Sequence, residues 1–149
     1  MPDVTSAAET TLVVRHTYAA PRARVFDAWL DPLKVQRFMT PEGCSVGTAQ
    51  IDARVGAPYS FSMNTPDGPM TVRGVYREIR RPERITFTWA WDEDDPALAH
   101  ESFVTLDFTE RDGKTELVLT HERLRNAESR DGHRRGWTSI LEVLERELR

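Results

Sequence analysis

Ala20-Pro21-Arg22-Ala23-Arg24-Val25-Phe26-Asp27-Ala28-Trp29-Leu30-Asp31-Pro32 near the start and Gly136-Trp137-Thr138-Ser139-Ile140-Leu141-Glu142-Val143-Leu144 near the end frame a middle that reads almost wholly as strand. In the first stretch Pro21 suits an opening helical turn, where its missing N–H costs nothing. Val25, Phe26, Trp29 and Leu30 then share one helical face. Pro32 cannot continue that helix, and Asp31 is a good N-cap for a second short one through Leu33, Val35 and Phe38. In the second stretch Trp137, Ile140, Leu141, Leu144 and Leu148 form a single apolar stripe at helical period, with Asn126 as the N-cap. Glu142–Arg146 and Glu145–Arg149 read as i,i+4 ion pairs on its exposed side, and Gly132 weakens its early turns.

Between the two frames the period is two. Leu12, Val14, His16 and Tyr18 alternate with Val13, Arg15 and Thr17 in a first strand. Ser45 to Ile51 reads as the next, and Asp52-Ala53-Arg54-Val55-Gly56 as the turn after it. Tyr59, Phe61 and Met63 then face one way, and Asp67-Gly68 marks a hairpin. Val72, Gly74 and Tyr76 continue the inward set. Ile85, Phe87, Trp89 and Trp91 make the clearest half-buried alternation in the chain. Val104, Leu106 and Phe108 precede an Asp112-Gly113 turn, and Leu117, Leu119 and His121 close the series. Short strands joined by tight turns indicate an antiparallel meander. The reading is an α+β fold: one curved antiparallel sheet, two short helices, and a long C-terminal helix packed across it.

Composition narrows the functions available. The chain has 149 residues, 39% hydrophobic and 30% charged, with a net charge of −4. That length supports one domain, read here as residues 11–149 behind a polar tail over residues 1–10. The acidic balance argues against a nucleic-acid binder, and no apolar run is long enough for a membrane helix. Met1 to Thr10 lacks a secretory signal, and Cys44 is the single cysteine, so a cytoplasmic protein is expected.

Four features together identify a family resemblance: Ala20-Pro21 leading into Val25-Phe26 and Ala28-Trp29, Asp52-x-Arg54-x-Gly56, Gly74 followed by Tyr76-x-Glu78-Ile79, and Gly136-Trp137. From about Thr11 to Leu148 the chain resembles the small proteins similar to the C-terminal domain of the heat-shock-protein-90 ATPase activator, within the START-like (SRPBCC) superfamily. The resemblance implies the helix-grip arrangement. It also implies a stress-related chaperone-partner role and a cyclase- or hydrolase-like activity; the aromatic interior adds a third candidate, pocket binding of a small apolar or amphipathic molecule, and self-association is the other partner expectation. Pocket binding ranks first among them.

The candidate pocket follows from the inward faces. Tyr18, Phe38, Tyr59, Phe61, Met63, Tyr76, Phe87 and Trp89 supply apolar surface, with Trp137 from the helix. Gly74, lacking a side chain in mid-strand, is expected to widen the gap. His16 and His121 fall on inward faces and are the candidate polar anchors. The competing reading is that these residues simply fill the core. His100 and His133 read as structural or surface residues. The run Asp92-Glu93-Asp94-Asp95 reads as a solvated loop. No metal, cofactor or nucleotide motif is present, so none is expected, and no catalytic residue is assigned.

Overall fold

In a computed structural model, residues 7–41, 43–92 and 100–148 are described. A single turn of helix, α1 (Ala7–Thr10), leads into β1 (Leu12–Tyr18). The last part of the expected polar tail is therefore helical, and Arg130 Nη1 donates to the Ala8 carbonyl at 2.7 Å. Helices α2 (Arg22–Ala28) and α3 (Pro32–Phe38) follow. Pro21 stands one position ahead of the helix, as its N-cap, with φ −67° and ψ 151°. Asp31 caps α3 by accepting the Leu33 N–H at 3.0 Å.

Six strands come next: β2 (Ser45–Ile51), β3 (Pro58–Thr65), β4 (Gly68–Arg80), β5 (Arg84–Trp91), β6 (Glu101–Arg111) and β7 (Lys114–Glu122). The chain ends in α4 (Ala127–Glu147), capped by Asn126, whose side chain accepts the Ser129 N–H at 2.8 Å. All strand pairs are antiparallel, in the order β1-β7-β6-β5-β4-β3-β2. The β6–β7 turn needs left-handed backbone at both central residues, and Asp112 (φ 55°) and Gly113 (φ 77°) supply it.

This is the helix-grip fold: a curled half-barrel of seven strands closed by α4 and the short helices. The stripe on α4 faces the sheet, with Trp137, Ile140, Leu141 and Leu144 buried. Two polar ties fix the helix. Tyr18 Oη donates to the Leu141 carbonyl at 2.9 Å, and His16 Nε2 meets Glu145 Oε1 at 3.0 Å. Glu145 thus pairs across to β1, while Arg149, its expected partner, lies outside the described residues. Glu93, Asp94 and Asp95 lie outside them too; Asp92 pairs with Arg73 on the neighbouring strand.

Candidate functional site

The concave face divides into a closed interior and an open cleft. Tyr59, Phe61, Tyr76, Phe87 and Trp89 meet Trp29, Val35, Met39 and Ile51 around a void of only about 20 Å³. Their rings interlock at centroid distances of 5.3 to 6.4 Å, mostly edge-on or tilted. Such spacing is that of a packed core, and the void holds no more than one water. Burial pushes the Tyr59 and Tyr76 phenols well above their ordinary range, so both stay protonated.

The roomier space lies beside this core, between the first half of α4 and the tip of the β3–β4 hairpin. It measures about 660 Å³ and opens to solvent. Its sheet side carries Met63, Met70, Trp89 and Trp91, with Pro41 and Cys44 at one end. Its helix side carries Ser129, Gly132, His133, Gly136, Trp137 and Ile140. Those positions recur at three- and four-residue steps, so one face of α4 builds the whole wall. At Gly136 an added Cβ would meet only Pro41 Cβ at 3.9 Å, so the two glycines keep the helix wall thin. Asp67, Glu128 and Arg135 stand at the rim.

Beneath the cleft lies a defined hydrogen-bond network. Trp137 Nε1 donates to His121 Nδ1 at 3.0 Å, and an indole can only donate. His121 therefore carries its proton on Nε2 and gives it to Ser102 Oγ at 2.7 Å, while Ser102 donates to the Trp89 carbonyl at 3.0 Å. His133 has the opposite tautomer: Nδ1–H goes to the Ser129 carbonyl at 2.8 Å, and Nε2 accepts from Trp91 Nε1 at 3.1 Å. Burial holds both imidazoles below the ordinary histidine range, and the neighbouring His133 adds to the shift at His121. The short Ser102–His121 contact resembles a nucleophile–base pair. The tautomer runs the wrong way for that, because a base needs a lone pair facing the hydroxyl.

The sequence-derived set is thus dispersed. Met63, Trp89 and Trp137 line the cleft, and His121 supports it from below. Tyr59, Phe61, Tyr76 and Phe87 surround the small void. Phe38 packs edge-on against Trp29 at 5.0 Å, and Tyr18 and His16 tie β1 to the far end of α4.

Gly74 has a different role from the one expected. It faces Tyr59 across β3 and β4, and a Cβ there would stand 1.9 Å from the Thr88 carbonyl oxygen and 2.7 Å from Tyr59 Cε1. The missing side chain lets the Tyr59 hydroxyl reach that carbonyl through a break in the β4–β5 ladder. At the same break Val75 N–H turns to Thr88 Oγ1 at 2.8 Å. Gly74 itself lines a groove of about 870 Å³ on the outer face of the sheet. Its absent side chain makes room for Tyr59 rather than for a ligand.

Sequence reasoning passed over His133, Ser129, Gly136, Ile140 and Met70 as wall residues. For the four helix residues the signal lies in the three- and four-residue spacing from Ser129 to Ile140, upstream of and overlapping the stripe that begins at Trp137; Met70 belongs to β4.

The sequence pattern of the Activator of Hsp90 ATPase homolog 1-like proteins matches residues 19–149. The chain belongs to that family. Among solved structures, the AHSA1 (SPO3351) protein of Silicibacter pomeroyi is 31% identical, with a TM-score of 0.81 over 93% of this chain and 96% of that one. Protein CV1439 of Chromobacterium violaceum is 26% identical, with a TM-score of 0.85 over the same shares. A protein from Arthrobacter aurescens, 17% identical, shares the fold at a TM-score of 0.82 over 97% of this chain and 89% of that one. No curated protein matches the sequence. This AHSA1, START-like fold is that of a ligand-binding domain family. No helix among the described residues is long and apolar enough to cross a membrane.

Proposed function

We propose that this protein binds a small, mostly apolar molecule in the cleft between α4 and the β3–β4 hairpin, without acting on it chemically. The observation that carries the proposal is the cleft itself: about 660 Å³, walled by Met63, Met70, Trp89, Trp91, Trp137 and Ile140. Thr65, Asn126, Ser129, His133 and the charged rim interrupt this apolar surface, which suits a compact, mostly apolar ligand; each methylene removed from water is worth about 0.8 kcal/mol. Both nitrogens of His121 and of His133 are committed to protein partners, which leaves no free imidazole to serve as general base at the wall.

The uncharged fluorophore N-phenyl-1-naphthylamine tests this directly. Its emission should rise on binding one equivalent per chain. Gly136→Leu, which fills the cleft opposite Pro41, should weaken binding at least tenfold while leaving the folded signal intact. Equal binding by both proteins would move the site elsewhere. No binding by either would favour a surface role toward a chaperone or a second copy of the chain.

A further inference from the structure

The sheet has two edges, and the chain guards them differently. On β1, Arg15 pairs with Glu116 of β7, and His16 and Tyr18 are tied to α4. β2 has no strand beyond it. Its residues, Ser45–Ile51, include no charge and no proline, and none of them is buried. Native edges are usually blunted by charge, proline or a bulge, because their free N–H and C=O groups invite another strand. β2 has only a bulge, between Val46 and Ala49. The stretch after it is regular, with Ala49, Gln50 and Ile51 opposite Phe61, Ser60 and Tyr59.

The ladder fixes where the free groups point. Tyr76 N–H donates to the Ala57 carbonyl at 3.1 Å, so by alternation Tyr59 and Phe61 turn their backbone groups to β4 and Ser60 turns its own to β2. Gln50 therefore faces Ser60, and the N–H and C=O of Ala49 and Ile51 point out of the sheet. Thr48 N–H, donating to Ser62 Oγ at 3.3 Å, keeps the same alternation. None of the outward groups bonds to a loop or helix among the described residues.

We propose that β2 is a self-association edge: two copies of the chain pair antiparallel about a two-fold axis at Gln50, joining their sheets. Ala49 of each copy then exchanges backbone hydrogen bonds with Ile51 of the other. The two exposed Gln50 amides meet across the axis on the outer face.

A second copy fits because a two-fold axis sets residues near its centre against their own doubles, which penalises any charge there. β2 carries none. The first charge beyond it is Asp52, and its two copies would stand about 13 Å apart along the strand. That exceeds the screening length of about 8 Å, and Arg54 pairs with each carboxylate. Apolar surface borders the same end. Leu33 is 67% exposed and Val55 62%, the two most exposed large hydrophobics among the described residues. Val55 sits in the turn after β2, and Leu33 follows Pro32, which borders the outer groove with Ile51 and Pro58. Exposed apolar residues beside an unpaired edge mark a surface that association would cover.

Sedimentation equilibrium of the full chain tests the proposal with Gln50→Lys and Gln50→Glu, each of which opposes like charges on the axis at an exposed position. The wild-type mass should rise with concentration from one chain toward two. Each variant should dissociate at least tenfold more readily. An equimolar mixture of the two should dimerise at least as tightly as the wild type, because opposite charges then meet at the axis. Hydrogen exchange gives a local readout: the Ala49 and Ile51 amides should slow as concentration rises, while that of Gln50 should not.

A wild type that stays monomeric up to its solubility limit would overturn the proposal and leave the edge to an extended segment of another protein. A dimer indifferent to both variants, or a mixture no tighter than either variant alone, would overturn it by placing the interface elsewhere.

Discussion

Trp137 of α4 donates its indole N–H to Nδ1 of His121 on β7 at 3.0 Å, inside the core. The contact joins the closing helix to the sheet and sets the tautomer on which the Ser102 and Trp89 contacts depend. Trp137 is 2% exposed, so truncation removes both a large apolar surface and the partner of a buried lone pair. Trp137→Ala should lose about 3–5 kcal/mol in urea unfolding. Trp137→Phe keeps a ring but strands the imidazole, and should lose about 1–3 kcal/mol. A loss under about 1 kcal/mol for the alanine variant would contradict the placement of α4.

The two buried imidazoles set a pH dependence. Unfolded histidines titrate near 6.5. In the folded protein burial holds His121 and His133 lower, and protonation would set each against an indole donor. Between the folded and unfolded values the unfolded chain binds more protons, so this contribution is complete above about pH 6.5 and is lost as the pH falls below it. The two cavities that His133 lines also hold Asp67, Glu128 and Arg135 on one side and His100 and Arg125 on the other. The Asp27–Arg81 pair, whose arginine partner lowers the carboxyl's range, responds in a separate window below about pH 4. Thermal unfolding should show a falling Tm from pH 7 to pH 5. His133→Gln, which retains an acceptor for Trp91 without a titrating ring, should flatten that fall; an unchanged slope would remove His133 from the account.

Glycine substitutions should separate two structural roles. Gly74→Ala would press a methyl into the Thr88 carbonyl, whose backbone position is fixed by β5. A loss of about 3 kcal/mol or failure to fold is expected. Stable, soluble Gly74→Ala with a loss under about 1 kcal/mol would mean that the β4–β5 break is absent.

Gly132→Ala has the opposite sign. Within α4 its Cβ would meet only the Arg135 guanidinium at 3.8 Å, so the helix gains propensity without a clash. Stability should rise by about 0.5–1 kcal/mol. A decrease in urea midpoint would show strain at that turn.

The alternation in Ile85-Phe87-Trp89-Trp91 and the stripe from Trp137 to Leu148 made the sheet and closing helix legible, because periodicity records which side of an element is buried. The caps at Asp31 and Asn126 were legible for the same local reason. What the inward residues do once buried was not. Tyr59 and Phe87 share an alternating face with Met63 and Trp89, yet the first pair flanks a void and the second pair divides between void and cleft. That division depends on sheet curvature and on where α4 crosses, neither of which is a local property. Gly74 shows the same limit. A glycine in mid-strand signals a close approach, but only the β3 register reveals that Tyr59 makes it.

The most direct test of the central claim is to locate a bound ligand by intermolecular nuclear Overhauser effects. With N-phenyl-1-naphthylamine bound, cross-peaks should connect its ring protons to the methyl groups of Met63, Met70 and Ile140, which lie on opposite walls of the cleft. Cross-peaks confined to the outer-face groove, at Ala49, Val75 and Ala90, would contradict the account.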